Sequence, residues 1–435
     1  MDHDLERATM QRVYWRIVPF LFVVLFFNYL DRINIGFAGL RMNQDLGLSP
    51  AVFGFGASVF FVGYMVLEVP SNMMLHRFGA RRWIARILVS WGFVAALMAF
   101  AWNDTSFYVL RFLLGVAEAG FLPGVAMYLT YWFPGAYRAR AVAGYIIAGQ
   151  VAAVIGGPVS TILMTYCENF LGLHGWQWMF ILEGVPTILL GIVCLGFLTE
   201  RPSRAAWLEP ASRDWLEARM ARERAAIDED HAFGEFDALK DGRVWALAIL
   251  FGCALVGVYG LLIWTPQIIK AMGNLTDIQV GFLSAVPPLL GVFGSVLIGV
   301  TSDRTGDRKF HLAGVYLVSG LALAASAMAP GPVFAYLMLC VVGFAIYAGN
   351  ALFWSLNSSL MTGAAAAVAI ALVNTIAQFG GLVGPWMIGL VKDRTGSFTL
   401  ALLTLSAFLL VAALIAVLLR VKPTPRTGLA SAASG

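Results

Sequence analysis

The sequence predicts an all-α integral membrane protein of twelve transmembrane helices, arranged as two six-helix repeats. Three observations carry this. Of 435 residues, 60% are hydrophobic and only 12% charged, about half the charged share of a soluble domain. Apolar runs of about 20 residues recur along the chain, each long enough to cross a ~30 Å hydrocarbon core as a helix whose backbone satisfies itself in lipid. The punctuation between those runs repeats at an offset of 227 residues.

The runs are 17–38, 51–75, 83–101, 107–130, 141–165 and 177–199, then 244–269, 278–302, 312–329, 333–356, 366–391 and 398–420. The first follows Arg7, Arg12 and Arg16 as a signal peptide would, but it is too long, carries Asp31-Arg32 and is followed by no small-residue cleavage site, so it reads as a retained span. Residues 1–199 form the first half and 244–420 the second, with a tail at 421–435. The connector, 200–243, is polar and charge-mixed. Its Trp207, Leu208, Trp215, Leu216 and Met220 recur at near-helical spacing, which predicts an amphipathic helix along the membrane surface. A solvated connector and a gate or partner site both fit that pattern.

Twelve spans put both termini and the even-numbered loops on one side. That side holds 23 of the 29 lysines and arginines, whereas the opposite side holds only Arg41, Lys270, Lys392 and Arg394. The positive-inside rule therefore makes the termini cytoplasmic. The net charge of +4 reflects this topology and does not indicate nucleic acid. Cys167, Cys194, Cys253 and Cys340 are scattered without a CxxC pair, so neither a disulfide framework nor a metal site is indicated. With no HExxH, GxSxG or P-loop, the parts for metal hydrolysis, acyl transfer by that elbow and ATP hydrolysis are missing, and an enzyme is not expected.

At the 227-residue offset, Arg77-Phe-Gly79-Ala-Arg81-Arg82 after span 2 falls on Arg304-Thr-Gly306-Asp-Arg308-Lys309 after span 8, preceded there by Asp303. Gly157-Pro158 in span 5 falls on Gly384-Pro385 in span 11. Two independent matches at one offset indicate a duplicated six-helix unit. Gly79 and Gly306 suit tight turns, and the flanking arginines suit helix C-terminal carbonyls or nearby acids.

The remaining two basic residues, Arg32 and Arg111, lie inside spans, and each travels with a carboxylate: Asp31 beside the first, Glu118 seven residues beyond the second. A charge at membrane depth costs at least ~2.5 kcal/mol, so it persists where protein or a wet cavity surrounds it and something uses it. On one helix, Arg111 and Glu118 fall about 20° short of a common face and roughly 10 Å apart, with Glu118 ~16 Å deep. Asp31 and Arg32 point ~100° apart and cannot share a partner. This predicts Arg32 as the clamp for a substrate carboxylate, aided by Arg111, with Asp31 and Glu118 as acids whose protonation can swing. Static ties between helices are the alternative. Glu68 and Glu183 fit structural contacts better, Glu68 with arginines at the cytoplasmic end. The second half has no deep charge: Asp31, Arg32 and Glu118 map to Val258, Tyr259 and Ala345. Neutral recognition there falls to Tyr259, Trp264, Tyr347, Asn350, Trp354, Ser355, Asn357, Asn374 and Gln378, facing Tyr29, Tyr64 and Gln150.

Several motifs carry a resemblance. They are Asn28-Tyr-Leu-Asp31-Arg32-Ile-Asn34, Tyr64 with Glu68-Val-Pro-Ser-Asn72, Gly79-Ala-Arg-Arg-Trp-Ile-Ala-Arg86, Arg111-Phe-Leu-Leu-Gly-Val-Ala-Glu118, Tyr131-Trp-Phe-Pro134 and Phe180-Ile-Leu-Glu183-Gly. Together with twelve spans in two halves, these resemble the bacterial anion:cation symporters of the major facilitator superfamily, which include permeases for tartrate, phthalate, hydroxyphenylacetate and sugar acids. The resemblance implies a proton-coupled importer of a small organic carboxylate in the bacterial inner membrane, working as a monomer with protons as coupling ion and no other cofactor. It also implies the span 1 arginine as anion ligand, the span 1 aspartate and span 4 glutamate as proton-coupling acids, and Tyr64, Ser355 and Asn374 as substrate contacts. Glu68, Arg77, Gly79, Arg81, Arg82, Asp303, Arg304, Gly306 and Arg308 are the expected gating and structural set. One departure is His76, which stands where the superfamily's first-half loop has an acid, so a latch built on that acid is expected only at Asp303.

Overall fold

A computed structural model of the chain describes residues 2–228, 241–360 and 364–419. The tail and residues 229–240 of the connector lie outside the described residues. The helices run in order α1 (Asp2–Ala38), α2 (Met42–Asp45), α3 (Pro50–Phe78), α4 (Ala80–Leu97), α5 (Asp104–Glu118), α6 (Phe121–Trp132), α7 (Gly135–Tyr166) and α8 (Gly175–Phe197). They continue with α9 (Pro210–Asp228), α10 (Gly242–Lys270), α11 (Asp277–Thr305), α12 (Lys309–Ala327), α13 (Pro332–Leu360), α14 (Ala364–Thr395) and α15 (Thr399–Leu418). There is no strand among the described residues. Eleven of the predicted spans are helical segments long and apolar enough to cross a membrane, one of them, span 4, made of α5 and α6 together. The other, α14, takes the place of predicted span 11.

Helix starts follow local chemistry. Ser49 accepts the Val52 N–H at 3.3 Å ahead of Pro50, while Asn103 with Ser106 and Thr276 with Gln279 form reciprocal capping boxes. The duplicated loop ends α3 and α11 on left-handed glycines, Gly79 (φ 89°) and Gly306 (φ 68°), a conformation costly for any residue with a Cβ.

One predicted span is not a single helix. Span 4 breaks after Glu118, where Ala119 is extended and Gly120 left-handed (φ 85°) before α6 begins. Pro123 stands in the first turn of α6 and has no N–H to give the carbonyl of Ala119, so an unbroken helix would lose a bond and crowd its own backbone there. The break leaves Glu118 as the last residue of α5, at the end of the helix where the dipole is negative and a carboxylate is disfavoured.

The two most extensive contacts between the halves are α3 with α14 and α7 with α11, and a smaller one joins α1 with α10. A Cβ on Gly54 would stand 2.6 Å from the Pro385 carbonyl oxygen, and one on Gly157 2.7 Å from that of Gly281. The two larger contacts are one interface used twice, because Gly54 and Gly281 are themselves 227 residues apart, as are Pro158 and Pro385. Small residues let helix backbones meet where no hydrophobic force drives them together. Both of these lie towards the end of the bundle remote from the N-terminus.

Helix α9 packs on the first half, with Leu208, Leu216 and Met220 buried and Trp207 stacked on Trp132 at 5.4 Å. Arg12 pairs with Glu209, Thr9 donates to Ser212, and Glu223 accepts the Gly135 N–H at 3.0 Å. The amphipathic spacing in the connector thus serves a dock onto the N-terminal ends of α1 and α7.

Candidate functional site

The residues predicted to carry charge converge, in pairings that differ from the expected ones. Arg32 donates Nε to Glu118 Oε1 at 2.7 Å, and its Nη2 reaches the same oxygen. Arg32, rather than Arg111, is therefore the ion partner of Glu118, and it offsets the unfavourable helix end on which that carboxylate sits. Arg111 donates Nη2 to the Ala57 carbonyl at 3.1 Å and lies 5.1 Å from the Phe60 ring centre. The break after Glu118 and the turn of α1 decide this, since the carboxylate faces α1 instead of lying along its own helix.

Around the Arg32 guanidinium stand the rings of Tyr64, Phe60 and Tyr29, with centres at 5.3, 5.5 and 6.0 Å. Tyr259 of α10 packs on Phe61, three residues before Tyr64 on α3, with ring centres 4.6 Å apart. Arg32 and Tyr259 occupy equivalent positions of the two repeats, 227 residues apart. Glu118 Oε2 is buried without a partner. Of the four deep charges Arg32 is the most open, at 8% exposed against 1–2% for Asp31, Arg111 and Glu118. The arrangement is a guanidinium in an aromatic cage, held by one carboxylate oxygen. Sequence reasoning missed Phe60, although its spacing of four from Tyr64 puts both on one face of α3.

Asp31 turns the other way. Asn34 Nδ2 donates to Asp31 Oδ1 at 3.3 Å and to Glu183 Oε2 at 2.9 Å, and Ser160 donates to Glu183 Oε1 at 2.7 Å. Glu183 is thus an interhelical hub joining α1, α7 and α8.

The other predicted contacts are more dispersed. Gln150 reaches Ser295 across the halves at 3.4 Å. Trp354 packs edge-on against Phe251 and Phe353, and the Ser355 carbonyl accepts Arg308 Nη1 at 3.3 Å, at the end of the bundle nearer the termini. Asn374 is half-buried on α14, and Gln378 is buried with Oε1 unpartnered. In the gating set, Glu68 makes no ion pair among the described residues and is half-buried. Arg77, Asp303 and Arg304 are exposed. Glu200, which the sequence did not single out, accepts the Ala80 and Arg81 N–H groups at 2.6 and 3.0 Å and so caps α4 beside Gly79. An acid distant in sequence does there what the exposed His76 does not.

At the far end of the bundle, Arg41 joins the halves. Its Nε meets Asp277 Oδ2 at 2.7 Å, its Nη1 meets Glu168 Oε2 at 2.7 Å, and Lys270 also reaches Asp277 at 2.8 Å. Burial opposes the charge on Arg41, but Asp277 and Glu168 outweigh it and raise its pKa. Burial likewise opposes the Glu168 carboxylate, yet the Gly175 N–H, Arg41 and His174 hold its pKa below the ordinary value.

Residues 21–385 match the Major Facilitator Superfamily model. The chain belongs to that superfamily. It is a multi-pass membrane transporter rather than an enzyme. It is 46% identical over 419 residues, 96% of this chain and 93% of the relative, to a protein of Agrobacterium vitis that bears the provisional name of tartrate transporter. It is 39% identical over 407 residues, 94% of each chain, to a quinolone resistance transporter of Acinetobacter baumannii. A bacterial homologue of the human lysosomal transporter Spinster shares the fold, with TM-score 0.77 and 16% identity over 93% of this transporter and 96% of that chain.

Proposed function

We propose that this transporter is a symporter that imports a small organic carboxylate, a hydroxy acid such as tartrate first among them, together with protons. One observation carries the reading: Arg32, the more exposed of the two deep guanidiniums, is already held by a carboxylate, that of Glu118. While Glu118 is ionised, Arg32 is already satisfied. Protonation of Glu118 frees the fork for the two oxygens of a substrate carboxylate, and the aromatic cage then excludes water from that pair. Asp31 is the second proton-coupling acid. Rocking of the two halves alternates access to the site. The name of the Agrobacterium vitis relative supports the hydroxy acid, and the rings of Tyr29, Phe60, Tyr64 and Tyr259 favour an aromatic carboxylate as a second substrate class. Neutral groups on the second half, Asn374 and Gln378 among them, supply hydroxyl recognition.

The protein works as a monomer in a bacterial inner membrane, with the termini and the basic loops cytoplasmic and protons as its only coupling ion. In that orientation the Arg41 latch ties the two halves together at the periplasmic end.

The test is tartrate uptake into proteoliposomes under an imposed proton gradient. A protonophore should stop accumulation in the wild type, and Glu118→Gln should lose gradient-driven accumulation while keeping tartrate exchange. Normal driven accumulation in Glu118→Gln, or wild-type uptake indifferent to the protonophore, would refute proton symport through this site.

A further inference from the structure

The hub around Glu183 holds two acids and no base. Asn34 donates its amide to both Asp31 and Glu183, and the two bond lengths, 3.3 and 2.9 Å, bound the distance between the accepting oxygens at about 6 Å. Both acids are 2% exposed. Among the described residues, the groups that meet them are neutral: Asn34 of α1, Ser160 of α7, and Trp91 of α4, whose indole N–H faces Asp31 outside ordinary hydrogen-bond geometry. The charges that reach Asp31 from further off are Arg111 and Glu118 of α5. Arg111 is anchored on the Ala57 carbonyl, and Glu118 is a further negative group. Asp31 Oδ2 is buried with no partner.

While the pair is sealed from water as it is here, two carboxylates this close and without a cation in contact disfavour double ionisation, because Arg111 acts only from further off and on Asp31 alone, leaving desolvation and mutual repulsion largely uncompensated. A single proton on either one removes the repulsion and gives the orphaned Asp31 oxygen a role as acid. The tie between helices would be served as well by a glutamine at 183, which keeps an oxygen for Asn34 or Ser160 and carries no charge. A glutamate is needed there only if the charge is used.

We propose that Asp31 and Glu183 form a proton-sharing pair and that Glu183 carries a coupled proton separate from the one on Glu118. On the outward-open side a proton from water binds a carboxylate oxygen of the pair. When the halves rock and water on the inner side reaches the pair, hydration compensates the second charge, the same O–H bond breaks and the proton leaves to that water, with no other bond changed. This rests on the symport reading above.

The experiment compares wild type with Glu183→Gln in proteoliposomes at zero membrane potential, using L-tartrate as the probe. Each coupled proton multiplies the limiting accumulation ratio about tenfold per unit of pH difference. Glu183→Gln should therefore accumulate about tenfold less at a one-unit gradient while retaining tartrate counterflow. An unchanged ratio overturns the proposal, and so does loss of counterflow, which would make Glu183 necessary for movement itself. Infrared difference spectra of the detergent-purified proteins provide a readout independent of substrate: the wild type should show a protonated-carboxyl band at neutral pH that Glu183→Gln removes, and its persistence in the variant overturns the pair. Wild-type accumulation that ignores the gradient refutes the symport reading, and the infrared result still decides the pair.

Discussion

Replacing Arg41 by glutamine should weaken closure of the end of the transporter remote from the termini. Arg41 holds two acids, but only its bond to Asp277 crosses between the halves; the bond to Glu168 orients the guanidinium from within the first half. Asp277 keeps Lys270 after the substitution, so no buried charge is orphaned. The side chains are partly open, at 27% for Arg41, 30% for Glu168 and 11% for Asp277, which puts the loss above that of an exposed pair and below that of a fully buried one. A value of about 1.5 kcal/mol follows, or roughly tenfold in the ratio of closed to open conformers. Spin labels at Phe170 and Gly273, in a cysteine-free background, would report the distance between the halves at that end. Arg41→Gln should broaden the distribution towards longer distances, and Arg41→Lys should fall between, because one ammonium cannot fork to both acids. A distribution unchanged in Arg41→Gln would refute the latch.

Three further outcomes follow from the same geometry. The pKa of Glu168 is lowered in the closed form, so its contribution to the latch is complete above the ordinary carboxylate value of roughly 4.3 and is lost only as pH falls through the lowered value; the label distances should hold steady from neutral pH down to about 5, and opening on mild acidification would count against this. Glu200→Ala removes both cap bonds at the start of α4 and should cost about 1–2 kcal/mol of stability, seen as a lower Tm in detergent, with an unchanged Tm refuting the cap. Gly54→Ala places a Cβ 2.6 Å from the Pro385 carbonyl oxygen, forcing α3 from α14, and should shift the same labels towards the open distribution; no shift would mean that the contact is not part of closure.

The exposed side of the Arg41 latch was partly legible beforehand. Arg41 and Lys270 are two of only four basic residues in the loops and ends that twelve spans put opposite the termini, the side the charge count makes the sparse one. Residues kept against that bias tend to have partners, and here both meet Asp277. The break in span 4 was legible too, in Gly120 and Pro123, but a run of apolar residues conceals a helix break, because hydropathy measures lipid compatibility and not backbone continuity. Glu200 and Phe60 gave weaker signals, a capping acid 120 residues away in sequence and a ring one helical turn from Tyr64.

The sequence by itself determined the membrane class and the succession of spans, and it pointed to the duplication and to the confinement of deep charge to the first half. These follow from composition, from the length of helix that crosses a bilayer and from a fixed offset, all of which are one-dimensional. Only the tertiary structure decided which charge meets which. Helical periodicity says that Asp31 and Arg32 point apart, but not which neighbouring helix each one faces. That depends on the crossing of α1 with α5 and α8, on the glycines that let helices touch, and on the break that turns Glu118 away from Arg111. The pair suggested by proximity along the chain, Arg111 with Glu118, gave way to Arg32 with Glu118, 86 residues apart.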